Sequence, residues 1–439
     1  MKIGLAVFTI VAVGAVFFLF FMPPQEIVVA PVDPANSAKP AVLSLPSVPE
    51  AVAPTSTPTQ PKILESADLP NQLPLQNPPE VVKGIYVTAW SAGSTSRINS
   101  LISLIKRTEL NAVVIDIKDF SGHVSYKTGV PAVAATGAEN ELRILRPNAL
   151  IKKLHDENVY IIGRITVFQD PILAKAHPEL ALKNKITGQI WTDNKKLAWM
   201  DAAAKSVWDY NVEIAKDAFA RGFDEIQFDY IRFASDGDLG QIGYPFWDEK
   251  TPRRKIIGNF FKYLRESLPD KKISADLFGL STIDTWDDLG IGQIIEDAYA
   301  NFDYVSPMVY PSHYASGFMG FKSPAKYPYE IVKYSMEKAL TRLIAEREAQ
   351  STTSTATSTT ETLNPKPYTL NSKLRPWLQD FDLGAVYDAA MVRRQIQATY
   401  DAFVASSTNY QLPTTSSRFG GWLLWDPANT YTEGALEKN

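Results

Sequence analysis

The sequence predicts a (β/α)8 barrel, and two observations carry that prediction. From Val81 onward, eight short segments of strand character alternate with segments whose apolar residues recur at helical spacing, over ~350 residues. In at least five of the eight, one parity is apolar and the other polar, as expected where an outer face packs under helices and an inner face lines a barrel. A doubly wound open sheet is the runner-up, but no G-x-G-x-x-G follows the first strand.

The elements follow in order. Gly84–Trp90 is the first strand, with Tyr86, Thr88 and Trp90 on one parity. Ser94, Thr95 and Ser96 offer N-caps to a helix over Ile98–Leu110. The second strand, Ala112–Asp119, sets Asp116 and Lys118 against Val113, Ile115 and Ile117. The third, Val159–Gln169, sets Arg164 and Thr166 against Ile161, Ile165 and Val167. Val212, Ala215 and Phe219 stripe a helix over Lys205–Arg221. The fourth strand, Glu225–Phe233, has Glu225, Gln227 and Asp229 on one parity and Ile226, Phe228 and Tyr230 on the other. Burying unpartnered polar groups is costly, so a polar inner parity there points to a wet cleft in which a carboxylate works.

Ile257, Phe260, Phe261, Leu264 and Leu268 mark a helix over Arg253–Leu268. The fifth strand, Lys272–Gly279, sets Ser274 and Asp276 against Ile273, Ala275 and Leu277. Tyr304–Tyr310 is the sixth, with Ser306, Met308 and Tyr310 inward. Arg375–Phe381 is the seventh, with Gln379 inward, and a helix over Ala389–Phe403 follows it. Gly421–Asp426 is the eighth, with Trp425 inward and Asp426 beside it. Thirteen residues remain after it, so the last helix is short or missing. The long segments Asp170–Leu197 and Ala234–Thr251 read as extended loops on the active face.

Ahead of the barrel (81–439), residues Ile3–Met22 carry no charge, long enough to cross a bilayer as a helix, and Pro23-Pro24 follows in place of a small-x-small cleavage site. The expectation is an uncleaved anchor over 1–22 with the bulk of the chain outside the cytoplasm, the alternative being a secreted protein after signal cleavage. Residues 23–80 hold 14 of the 30 prolines and read as a disordered linker spanning ~40 Å. Ser351–Glu361 is Ser/Thr-rich and reads as a surface insertion at about 350–366.

Composition removes several classes of function. The net charge is -4 with no dense basic run, which argues against nucleic acid. There is no cysteine, so disulfides, thiolate nucleophiles and Cys-ligated zinc are excluded. His123, His155, His177 and His313 are far apart and lack H-E-x-x-H spacing, so no metal and no cofactor are expected. Neither a G-x-S-x-G elbow nor a phosphate-binding loop is present. An acidic cluster could hold calcium, but another chemistry suits it better.

Active sites of such barrels lie at the carboxyl ends of the strands. Glycoside hydrolysis needs two carboxyl groups there, one protonated donor and one ionised nucleophile or base. Asp229, with Lys118 and Arg164 as expected inward neighbours, suits the ionised role. Asp276 is the candidate acid, with Asp116 competing for it. Gln227, Arg232, Gln379 and Asp426 are candidate sugar contacts with Asp116, Lys118 and Arg164. The rings of Trp90, Tyr310 and Trp425 suit the apolar faces of sugars. The reading requires Asp116, Asp229 and Asp276 to meet at one rim, not tied up in salt links beneath the surface.

Several stretches resemble one family: Lys83–Thr88, Asn111–Asp119, Phe223–Phe233, Ser274–Gly279 and Asp303–His313. Over about 83–430 the chain is similar to the bacterial "putative glycosyl hydrolase domain" family of glycoside-hydrolase-like barrels. The resemblance implies a barrel and a carbohydrate substrate. More distant barrels of the alpha-amylase type carry an aspartate nucleophile at the end of strand four, where this chain has Asp229. They carry a glutamate acid on strand five, where this chain has the shorter Asp276. The expected function is hydrolysis of an extracytoplasmic polysaccharide or cell-envelope glycan; the alternatives are a non-catalytic carbohydrate-binding barrel and a structural envelope protein.

Overall fold

The computed structural model describes residues 67–355, 370–371, 373–409, 417–418 and 420–439. Eight parallel strands close into one barrel: β1 Val82–Val87, β2 Ala112–Lys118, β3 Tyr160–Thr166, β4 Glu225–Asp229, β5 Ile273–Phe278, β6 Tyr304–Met308, β7 Trp377–Gln379 and β8 Gly421–Trp425. Each pairs with the next in sequence, and β8 returns to β1 through Val82–Gly421 to Ile85–Leu424. Closure needs glycine at Gly421: its φ is +104, and an added Cβ would lie 1.8 Å from the Val82 carbonyl oxygen.

A principal helix follows each of the first seven strands: α1 Thr95–Arg107, α2 Pro147–His155, α3 Lys205–Arg221, α4 Arg253–Ser267, α5 Ile295–Asn301, α6 Pro328–Thr355 and α7 Ala389–Asn409, with short helices at Ala89–Gly93, Pro131–Thr136 and Pro171–Ala176 in the connections. Ser94 caps α1, so that helix starts before the expected Ile98. Gly222, in the left-handed region, ends α3. After β8 there is only a single 3-10 turn, Glu433–Ala435. The apolar residues of α1, α3, α4 and α7 bury against the outward parity of the strands in one core. The β4 strand ends at Asp229, short of the expected Phe233, because Tyr230 takes a φ of +52.

Asp68–Asn439 forms one compact unit. Asp68, inside the segment read as linker, accepts from the N–H groups of Asn148 and Ala149 at the start of α2, at 2.9 and 3.1 Å. The Leu75 N–H donates to Asp224 at 2.6 Å. The barrel's ordered contacts therefore begin ahead of Val81. The expected anchor at 1–22 and most of the linker lie outside the described residues, as does the Ser/Thr-rich segment beyond Thr355 up to 366. Among the described residues no helix is long and apolar enough to cross a membrane.

The inner parity of β4 is answered layer by layer. Glu225, deepest, is fully buried with Arg375 of the segment entering β7. The Arg375 guanidinium donates to both Glu225 oxygens, Ser274 Oγ donates at 2.5 Å and the Tyr160 hydroxyl at 3.2 Å. One cation meets one anion, and every Glu225 lone pair faces a donor. Above it, Gln227 donates to Ser306 Oγ at 3.0 Å. Asp229 forms the third layer, at the carboxyl end.

Candidate active site

Arg164, on β3, organises the mouth. Its Nη1 donates to Asp116 Oδ1 on β2 at 2.7 Å. Its Nε and Nη2 both donate to Asp229 Oδ2 on β4, at 3.2 and 2.5 Å. The same Nε lies 3.6 Å from Asp276 Oδ2 on β5. Strand register explains the meeting: Asp116 pairs with Arg164 across β2 and β3, and Arg164 with Gln227 across β3 and β4, so inward side chains at these strand ends converge on one centre.

The second shell fixes each carboxyl group. The Tyr86 hydroxyl on β1 donates to Asp116 Oδ2 at 2.5 Å. The Tyr230 N–H donates to Asp229 Oδ1 at 2.5 Å. The Trp377 indole N–H on β7 donates to Asp276 Oδ1 at 2.7 Å, while Asp276 Oδ2, also buried, has no hydrogen-bond partner. Trp425 stacks on Tyr86 with centroids 3.8 Å apart, stands edge-on to Trp377, and lies 5.1 Å from the Arg164 guanidinium.

The electrostatics are unequal. Burial pushes Asp276 well above the usual carboxylate range, the negative Asp229 pushes further, and Arg164 and the Trp377 N–H only partly offset them. Asp116 is also raised, by burial, against the pull of Arg164 and the Tyr86 hydroxyl. Side-chain exposure is 7% for Asp229, 3% for Asp116 and 1% for Asp276, so Asp229 is the outermost of the three. All three thus meet at one rim, and all three are salt-linked to Arg164 with little exposure. The link is not a closed one: three carboxyl groups face one guanidinium, unlike the balanced Glu225–Arg375 pair beneath.

The other expected residues divide. Trp425 joins the cluster. Tyr310 is buried against His313 and Phe381, and burial first, then the charges of Asp276 and Asp229, push its hydroxyl well up. Arg232 is held over the rings of Trp199 and Phe278, each 4.7 Å away, and donates to the Phe233 carbonyl. Gln379 is fully buried; it donates to the Phe381 carbonyl and accepts from the Ser312 N–H, so its amide braces loops. Gln227 sits one layer below Asp229. Asp426 accepts from the Ala428 N–H in the turn after β8, and Trp90 stands exposed on the short helix Ala89–Gly93 after β1.

Lys118 does not join the cluster, contrary to expectation. The β2–β3 register shifts between Asp116 and Lys118, so Lys118 pairs with Ile165 on the outward parity of β3. Its ammonium instead makes a fully buried pair with Asp170 at 2.6 Å. Two residues enter the site in a role the sequence did not show, as hydrogen-bond donors to its carboxyl groups. Tyr86 stood on the inward parity of the first strand, and Trp377 shares the parity of Gln379. Among the described residues no group of His, Asp and Glu side chains is arranged to hold a metal ion.

The family model described as "Putative glycosyl hydrolase domain" matches residues 84–431. The structure is similar to that of a hypothetical protein from Ruminiclostridium thermocellum, at 41% identity over 44% of this chain and 96% of that one, with a TM-score of 0.40. It is also similar to the PgaB (BpsB) glycoside hydrolase domain from Bordetella bronchiseptica, at 12% identity over 79% and 94% of the two chains, with a TM-score of 0.48. The glycoside hydrolase domain of PelA from Pseudomonas aeruginosa matches at 11% identity over 82% and 97%, with a TM-score of 0.37. The comparison with curated proteins gave no match.

Proposed function

The chain belongs to the "Putative glycosyl hydrolase domain" family, and from that premise we propose that it hydrolyses glycosidic bonds with Asp229 and Asp276 as its paired carboxyl groups. The observation that carries the pairing is the imbalance at Arg164: three buried carboxyls share one cation, and burial and the neighbouring Asp229 charge favour the protonated form of one of them. Asp276 is that group. Its unpartnered Oδ2 bears the proton and gives it to the glycosidic oxygen as the bond from C1 breaks. Asp229 receives hydrogen bonds on both oxygens, as an ionised carboxylate does, and attacks C1 to form a glycosyl ester. Water, deprotonated by Asp276, then releases the sugar and restores both groups. Arg164 and Tyr86 hold the cluster in register.

The outcome at C1 follows from spacing. Asp229 Oδ2 and Asp276 Oδ2 lie 3.2 and 3.6 Å from the same Arg164 nitrogen, so they are no further apart than those distances laid end to end. That bound favours the retaining separation of ~5 Å over most of the inverting span of ~6.5–9.5 Å. The setting we propose is extracytoplasmic, on a polysaccharide or envelope glycan, from the uncharged run Ile3–Met22 and the proline-rich stretch behind it.

The 1% exposure of Asp276 favours a second reading, a barrel that binds sugar without cutting it. A glycan panel assayed with wild type and Asp229→Asn separates the two. Hydrolysis by the wild type, cut by about 10²-fold or more in a variant of unchanged thermal midpoint, supports the enzyme. Binding without turnover, unaltered by the substitution, supports the second reading and removes the first.

A further inference from the structure

Outside the carboxylate cluster, the distribution of exposed aromatic rings has one feature that packing does not require. Among the described residues the exposed large aromatics are Trp90 (62%), Phe120 (51%), Phe246 (51%), Trp286 (93%) and Tyr327 (40%). All five sit on segments that leave the carboxyl ends of strands, after β1, β2, β4, β5 and β6. None lies on a barrel helix or at the opposite end. Scattered exposed apolar residues need no explanation, but confinement to the end that holds the active site does.

Two of these rings belong to segments that follow opposite strands of the barrel. β1 and β5 are four strands apart in a closed ring of eight, so the segments that carry Trp90 and Trp286 leave the barrel from opposite walls. Trp90 is a built platform. Its ring lies 5.1 Å from the Arg143 guanidinium, which is itself held by Asp119 and, at 2.7 Å, by Glu141. One ring face is thus backed by a fixed cation while the residue stays largely exposed. A flat ring open on one side suits the apolar face of a pyranose.

We propose that the molecule engages a polysaccharide strand across its mouth, with sugar-binding rings at Trp90 and Trp286 on either side of the point of cleavage, and that the strand is not anionic. This rests on the carbohydrate reading above. Rings on segments that leave opposite walls serve a chain several sugars long. With Asp276 protonated, Asp116 and Asp229 still outnumber the single Arg164 guanidinium, so a polyanion would bring like charge onto the mouth.

Depletion assays with the full chain test this on insoluble chitin, cellulose, starch and xylan, with cross-linked polygalacturonate as the anionic control. We expect retention on at least one uncharged polymer. Trp90→Ala and Trp286→Ala should each weaken its Kd by about 5- to 10-fold. Thermal midpoints should not move, because both rings are exposed. Retention on no uncharged polymer, retention that the double variant leaves intact, or strongest retention on polygalacturonate would overturn the proposal. The outcome is separable from the hydrolase reading: a chain that binds through both tryptophans but cuts nothing removes only the latter.

Discussion

The indole N–H of Trp377 donates to Oδ1 of Asp276 at 2.7 Å and leaves Oδ2 as the open end of that carboxyl group. A hydrogen bond to the charged form favours ionisation, so this contact lowers the Asp276 pKa against the larger upward push of burial. Trp377→Phe keeps a ring in place and deletes the donor. The pH–rate limb set by the protonated acid should then move to higher pH. A profile that falls in height without moving along the pH axis would assign Trp377 a packing role only.

Asp229 and Asp276 are linked by charge as well as by position. The Asp229 carboxylate is the second cause, after burial, that raises Asp276. In Asp229→Asn that repulsion is gone, so Asp276 should titrate lower than in the wild type. Carbon-detected NMR of the labelled aspartate carboxyls reads this directly and needs no substrate. An unchanged Asp276 titration would mean that the two groups do not communicate and would remove their pairing.

Beneath the mouth, Glu225 and Arg375 form a balanced ion pair with no exposure. Arg375→Met strands a buried carboxylate and should cost about 3–5 kcal/mol in denaturant unfolding. Adding Glu225→Gln removes the stranded charge and should recover most of that loss. Activity per folded molecule should be unaffected by the double variant, because Glu225 lies four residues, or two layers, below Asp229 on the same strand face. Loss of activity at full stability would place Glu225 among the working carboxyls.

Those two polar layers also mark how far the sequence could be read. All eight strands and their order were legible, since alternation along a strand and helical stripes between strands are local signals. Asp116, Arg164, Asp229 and Asp276 were legible as one set because they share inward parity near strand ends. Lys118 was misplaced because a register shift after Asp116 turns it to the other parity, and a β-bulge leaves no mark in alternation. The inner face of β4 was read as one wet surface, yet Glu225 is sealed by Arg375 from a segment 150 residues away. Long-range pairing of that kind has no local signal. Tyr86 and Trp377 show a different limit: their parity was visible, but the atom each one's polar hydrogen would meet was not.

Stability should also depend on pH through Asp380, away from the carboxylate cluster. Burial raises its pKa to about 6, although the Thr432 hydroxyl and N–H donate to its two oxygens at 2.6 and 3.0 Å. In the unfolded chain an aspartate titrates near ~3.9. The folded state therefore binds this proton more tightly. The resulting stabilisation is complete below ~3.9 and is lost as pH rises through about 6. A difference of about two units corresponds to ~3 kcal/mol, so from this group alone the protein should be more stable at pH 5 than at pH 7. Asp380→Asn holds an uncharged group in the same place. It should raise the thermal midpoint at pH 7 and flatten the dependence between pH 4 and 7. A variant curve parallel to that of the wild type would show that Asp380 is ionised in the folded protein throughout that range.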